Sequence, residues 1–237
     1  TLNKDDKEKY RKLSMDLSML TLQFDQNALK DKNRFELLIT DENELSGLPE
    51  SARDAAAMLA KSKDKNGWLF NLSAPSYIPF MRYSDKRDLR EKMYREYMSV
   101  GNKGDEFDNK DIIKKIVNIR LEIAQLMGFK NYAEYALEHT MAKNSANVYK
   151  LLNQLLEAYK PIAINEYNAV EGFALGTEKE NITVMPWDWS YYSEKLRDIR
   201  FKVNDEMTRP YFELSNVKKG VFGLACLLYT SPSPRDS

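Results

Sequence analysis

Histidine and cysteine are nearly absent from this sequence: each occurs once in 237 residues, as His139 and Cys226. One cysteine excludes an internal disulfide framework and every cysteine-rich zinc site. One imidazole is too few for a catalytic zinc of the usual two- or three-histidine kind, and it leaves a serine or cysteine triad only His139 to use. Glycine and proline are sparse, at 9 and 8, which excludes collagen-like and Pro/Gly-rich disordered chains. Charge of either sign in excess is missing as well. Lys+Arg 36 balances Asp+Glu 36, so neither nucleic acid nor an anionic membrane is expected as the main partner. No apolar run approaches the roughly 18 residues of a membrane span. The opening TLNKDDKEKY has neither a Met nor an apolar signal core. A chain that opens in this way is expected to be an internal piece of a longer one.

What is present reads as helix. Tyr10, Leu13, Leu17, Leu20 and Phe24 recur at 3,4,3,4 spacing and share one face. Asp5 and Asp6 suit the positive end of that helix. Residues 35–39 predict a short extended piece, and Pro49 opens a second helix, PESARDAAAMLAKSK. The clearest β pattern is a hairpin of GWLFNLS (67–73) and YIPFMRYS (77–84) around APS, with Pro79 on an unpaired side. Ser84 is expected to cap the next helix, with Leu89, Met93, Tyr97 and Val100 as its apolar stations and Gly101 as its stop. Asp108 or Asn109 opens a helix carrying Ile112, Ile116, Ile119, Ile123 and Leu126, closed by Gly128. NYAEYALEH is a short helix. Asn144 or Ser145 opens a longer one through Val148, Leu151, Leu155 and Ile162, which Pro161 is expected to kink. LGTEKENITVMPWD reads as a loop, DWSYYSEKLRDIRF as an amphipathic helix, PYFEL as extended and SNVKKGVFGLA as the start of a helix. No fixed-period repeat and no linker composition interrupts this order.

Chemistry-bearing motifs are few. His139, in ALEHTMAK, has no activated nucleophile beside it and is expected to be a bystander. No glycine-rich phosphate loop, HExxH, EF-hand spacing or nucleophile elbow occurs. The acidic pairs Glu178/Glu180 and Asp105/Glu106 sit in polar stretches, where solvated charge is the ordinary meaning. Asn71-Leu-Ser73 and Asn181-Ile-Thr183 match the glycosylation acceptor pattern, which chance produces often. WDWSYY (187–192) is the unusual cluster. It anchors a helix start in the core with Asp188 as N-cap, or it lines a peptide-binding cleft.

Longer strings carry a resemblance. DNKDIIKKIVNIRLEIAQLMGFKNYAEYAL (108–137) resembles a stretch of the thimet oligopeptidase family of zinc metallopeptidases, which includes oligopeptidase A and the peptidyl-dipeptidase Dcp. The matching residues are Asp108, Asn109, Arg120, Glu122, Ala124, Leu126, Gly128, Phe129, Asn131, Tyr132 and Ala133. FDQNAL, LSGLPE, PSYIPFMRYSDKRDLREKMY, PWDWSYYSEKLR and PYFELSNVKKGVF follow the family's landmarks in order, up to about Ala225. GWLFNLS and PSYIPFM look closest to the Dcp branch.

The resemblance implies a mostly α fold: a multi-helix scaffold with one small β-hairpin, part of a zincin-type, neurolysin-like oligopeptidase with a deep channel. It implies one Zn²⁺, held by an HExxH helix and a further Glu, that activates water against a peptide carbonyl. No position here matches that motif, so no catalytic, metal-binding or substrate-binding residue is assigned in this chain and no zinc is expected in it. Residues 1–225 are expected to be a partial metallopeptidase. Residues 226–237, ending in LLYTSPSPRDS, are expected to be a non-native tail, with a genuine disordered tail as the alternative. The expected function is that of an inactive fragment of a zinc peptidase cutting short peptides, of peptidyl-dipeptidase type, in the cytoplasm or, failing that, the periplasm. A helical binding or scaffold protein that never had a catalytic half is the alternative. An enzyme built on acidic pairs and tyrosines is the third.

Overall fold

The computed structural model describes residues 2–177, 182–202 and 205–230. Two compact units divide the chain, Thr1–Tyr192 and Ser193–Ser237.

The first unit opens with α1 (Lys4–Arg34), whose end is capped by Asn3: its Oδ1 accepts the Asp6 N–H at 2.8 Å. The expected stripe is only partly covered, with Leu13 buried and Tyr10, Leu17, Leu20 and Phe24 half-buried. Polar groups do the locking. Asn27 Nδ2 donates to Asn109 Oδ1 at 3.1 Å, Asn109 Nδ2 donates to the Phe24 carbonyl at 3.0 Å, and the Gly101 N–H donates to Asp31 Oδ2 at 2.7 Å. Asn109 stands at the start of α5 (Lys110–Leu126), which packs along α1. Asp108 closes that start by accepting the Lys110 N–H at 2.9 Å, and Ile112, Ile116 and Ile123 are buried. Gly128, at φ +85°, ends α5 by letting the Phe129 N–H reach the Ala124 carbonyl at 2.9 Å.

The main buried core is built from residues 37–93 together with Trp187. Strand β1 (Leu37–Ile39) pairs antiparallel with β2 (Trp68–Phe70) in the register Leu37↔Phe70, Leu38↔Leu69, Ile39↔Trp68. Helix α2 (Glu50–Ser62) packs on β2. Leu37, Ile39, Leu45, Leu48, Phe70, Leu72, Phe80 and Met93 form one buried cluster. Phe70 meets Phe80 edge to face at 4.8 Å.

The structure corrects the expected hairpin. GWLFNLS does contain a strand, but its partner is the upstream 35–39 segment. Residues 77–84 are not a strand: they belong to α3 (Ala74–Tyr83) and its C-cap Ser84. Tyr77, Phe80, Met81 and Ser84 follow a helical 3,1,3 step, and Ser73 with Pro75 starts the helix. Ser84 is likewise not the cap of α4 (Arg87–Met98): Lys86 holds that place, and Ser84 Oγ only accepts the Lys86 N–H at 3.3 Å. Gly101 has the φ of +71° that an L side chain resists.

Helices α6 (Tyr132–Leu137), α7 (Ser145–Thr177) and α8 (Pro186–Phe201) follow. Asn131 caps α6, and Asn144 Oδ1 accepts the Asn147 N–H at 2.9 Å to open α7. Helix α7 runs unbroken through Pro161. Helix α8 carries the chain into the second unit, where α9 (Asp205–Thr208), a 3₁₀ turn (Arg209–Phe212) and α10 (Leu214–Thr230) are found. PYFEL is therefore not extended at its start: Pro210 sets the φ of the 3₁₀ turn. Residues 226–230 continue α10, and 231–237 lie outside the described residues, so the non-native tail stays an expectation. Among the described residues no helix is long and apolar enough to cross a membrane.

Candidate functional site

The aromatic cluster WDWSYY sits at the start of α8, beside the enclosed charges of Asp188 and Arg90. Pro186 fits the first helical position because its missing N–H needs no partner there. Asp188 follows two residues later and is fully buried, with 0% exposure. It is not the N-cap. Met185 precedes the helix, and Asp188 reaches back so that Oδ2 accepts the Met185 N–H at 3.1 Å. Its other partners come from α4, one turn apart. Arg90 Nη2 donates to Oδ1 at 2.8 Å and Arg87 Nη2 to Oδ2 at 2.7 Å. Arg90 is 1% exposed and also donates to the Ser84 carbonyl at 2.7 Å, while its guanidinium lies 3.9 Å over the Tyr191 ring. Burial pushes the Asp188 carboxyl up. The hydrogen bonds from Arg87, the Met185 N–H and Arg90 outweigh it and hold the group below the ordinary carboxylate range. The same pairing with Asp188 raises Arg87 above its ordinary value.

Around this lock the aromatics divide. Trp187, Tyr191 and Tyr192 are buried. Tyr191 Oη donates to Asp85 Oδ1 at 2.7 Å, and Ser46 Oγ donates to the same carboxylate at 2.7 Å. Trp189 faces outward, stacked on Tyr167 with centroids 5.7 Å apart. It lines an apolar groove of about 570 Å³ with Tyr94, Ala163, Tyr167, Val184, Met185 and Pro186. The cluster is thus a helix anchor, as the first of the two sequence readings has it, and Trp189 is the part that opens onto a groove. Among the described residues no carboxylate or imidazole lines that groove, and those that do offer contact rather than proton transfer.

The other sequence-predicted residues do not converge. The His139 side chain is 91% exposed, with Glu138 at 3.6 Å. Asp105 is ion-paired with Arg34, which lowers its carboxyl below the ordinary range, and Glu106 beside it is exposed. Glu178, Glu180 and Asn181 lie outside the described residues. Asn71 is half-buried, its Oδ1 accepting the Ser73 N–H at 3.0 Å. Cys226 is exposed. Among the described residues no three His, Cys, Asp or Glu side chains are placed to hold a metal ion. The donor set does not fit a catalytic zinc: the whole chain has one imidazole, and that one points into solvent. What sequence reasoning missed is the pair Arg87 and Arg90. Their i,i+3 spacing on one helix face was the available signal, but a lone RDLR reads as surface charge until Asp188 is known to meet it.

Residues 80–230 match the model of Peptidase family M3. The chain belongs to Peptidase family M3. The α4–α8 lock lies within the matched span. The chain is 39% identical to "Oligopeptidase A" of Haemophilus influenzae over 229 residues, 94% of this chain and 33% of that protein. It is 38% identical to "Probable cytosolic oligopeptidase A" of Arabidopsis thaliana, over 96% of this chain and 33% of that one. Against "Dipeptidyl carboxypeptidase" of Escherichia coli the identity is 30%, over 94% and 33%. The chain spans about a third of the length of the curated M3 relatives it matches.

Proposed function

We propose that this chain is a scaffold portion of a zinc-dependent M3 peptidase that hydrolyses short peptides, and that the chain alone has no peptidase activity. The observation that carries the reading is the match along 94–96% of the chain to a third of the oligopeptidase A proteins, in a sequence with a single, solvent-facing imidazole. The zinc, its ligands and the general base belong on this reading to polypeptide that the chain does not contain. No bond-making step is assigned to the residues described. Their part is to hold helices α4 and α8 in register through Asp188 and to present the apolar groove at Trp189.

Identity favours the oligopeptidase A side of the family. The oligopeptidase A proteins stand at 36–39% and the dipeptidyl carboxypeptidases at 28–30%. The peptidyl-dipeptidase type, expected from GWLFNLS and PSYIPFM, is the second reading. The test is to read the parent gene in frame past the Cys226 codon and express the whole product. The expected result is an HExxH segment and cleavage of short peptides that a chelator stops. Internal cuts support an oligopeptidase, and dipeptide release from the C-terminus supports the second reading. A native stop codon soon after Cys226, with LLYTSPSPRDS confirmed in the genome, would overturn both in favour of a non-catalytic scaffold. Cytoplasmic residence is proposed with the periplasm as the alternative, to be settled by fractionating the source cells.

A further inference from the structure

Helix α7 is built as an interior helix and stands bare. Every residue from 149 to 168 is exposed, a stretch of twenty residues and so about 30 Å of helix. A helix that long, isolated in water, has little to hold it, because helices in proteins owe most of their stability to packing of an apolar face. The sequence of α7 supplies such a face. At 3.6 residues per turn, Leu152, Leu155, Leu156, Tyr159, Ile162 and Ala163 fall on one arc, while Lys150, Gln154, Glu157, Asn165 and Asn168 fall opposite. Leu152, Leu155, Leu156, Tyr159 and Ile162 are 42–62% exposed. The same arc continues to Val170 and Ala174, which are buried. The seam is therefore covered at its C-terminal end and uncovered along the five turns before it. Where it changes over, Ala163 and Tyr167 form a wall of the Trp189 groove.

We propose that this seam is the docking surface for the remainder of an M3 polypeptide, the part of the family's length that this chain does not span. The inference rests on the reading of the chain as a portion of a longer peptidase. It commits to that occupant because the relatives match nearly the whole chain with a third of their length, leaving about two thirds of an M3 chain outside the match. A seam whose one charge on the arc is Glu166 asks for an apolar partner rather than an anionic or cationic one.

The test compares thiol labelling in two settings. With Cys226→Ser as background, a single cysteine is placed on the seam (Leu155→Cys) or opposite it (Glu157→Cys). Each is made in the 237-residue chain and in a fusion where this chain replaces the matching third of Haemophilus influenzae oligopeptidase A. The expected result is fast maleimide labelling at both positions in the chain alone, and slowing of at least about tenfold at Leu155→Cys only in the fusion. Equal labelling of Leu155→Cys in a cooperatively melting fusion would overturn the proposal. So would protection of Leu155→Cys in the chain alone that rises with concentration, since the occupant would then be a second copy. Hydrogen exchange on the unmodified chain gives a check that needs no fusion: fast exchange over 149–168 supports a bare seam, and strong protection at low concentration contradicts it. Peptide cleavage by the fusion is read separately. Protection without cleavage keeps the docking surface and tells against the peptidase reading. Cleavage without protection does the reverse.

Discussion

Replacing Asp188 by Asn removes the negative charge from an ionic contact that is closed to water on both sides. Arg90 and Asp188 have side-chain exposures of 1% and 0%, so neither can turn to water when its partner is lost. Breaking a buried pair from one side costs about 3–5 kcal/mol, because the remaining charge stays desolvated. Arg87 contributes little to this figure: its side chain is 44% exposed and can find solvent, as surface ion pairs worth about 0–1 kcal/mol do. Domains hold only about 5–15 kcal/mol in all, so the variant loses about a fifth of its stability or more. At roughly 2–4 °C per kcal/mol, the melting midpoint falls by about 6–20 °C. Urea titration followed by tryptophan fluorescence reads this directly, since Trp187 and Trp189 flank the site. Arg87→Ala is the internal control and shifts the midpoint by much less. The double variant Asp188→Leu with Arg90→Met recovers most of the loss, because it leaves no buried charge unpaired and the half-exposed Arg87 turns to water. The pH dependence has a definite sign. The folded-state pKa of Asp188 lies below its unfolded value of about 3.9, so its contribution is complete above pH 4 or so and fades as the pH falls through the folded value. Asp188→Asn flattens that acid limb. A loss under about 1 kcal/mol, or an unchanged acid limb, would refute the reasoning.

Three further outcomes follow from separate observations. Gly47, at φ +84°, would carry a Cβ 2.1 Å from the Tyr83 carbonyl oxygen, so Gly47→Ala costs at least about 1–3 kcal/mol in the same urea assay; a neutral result would mean the turn relaxes freely. Tyr77 is pushed up to about 12 by burial, against about 10 unfolded, so its contribution holds below pH 10 and is lost as the pH climbs toward 12. Tyr77→Phe raises the alkaline unfolding midpoint, and an unmoved midpoint counts against the burial. Phe80 is fully buried against Phe70, so Phe80→Ala costs about 3–5 kcal/mol, with a loss below about 1 kcal/mol contradicting its place in the core.

Much of this architecture is visible in the sequence where contacts are local. The isoleucine series of α5 and its glycine stop are legible because one helix face and one left-handed residue decide them. The strand at 35–39 was readable as extended, but its pairing was not: it joins β2 across the whole of α2 with no tight turn to announce it. Tyr77, Phe80 and Met81 misled because aromatic-rich runs beside a Pro suit an edge strand as well as a short helix. The buried polar set was the least legible. Asn27, Asp31, Arg90 and Asp188 look like surface residues in any local window. Arg90 and Asp188 find their charge partner in each other, 98 positions apart. The family resemblance, carried by strings such as DNKDIIKK and PWDWSYY, reached further than periodicity because it summed weak local matches in a fixed order.

The proposal to be tested is that this M3 chain holds scaffold and no catalytic centre. Purified 237-residue chain, incubated with short quenched peptides and added Zn²⁺, addresses it directly. The account predicts no cleavage above buffer and no stoichiometric zinc binding by titration. Zinc-dependent turnover that a chelator abolishes would contradict it.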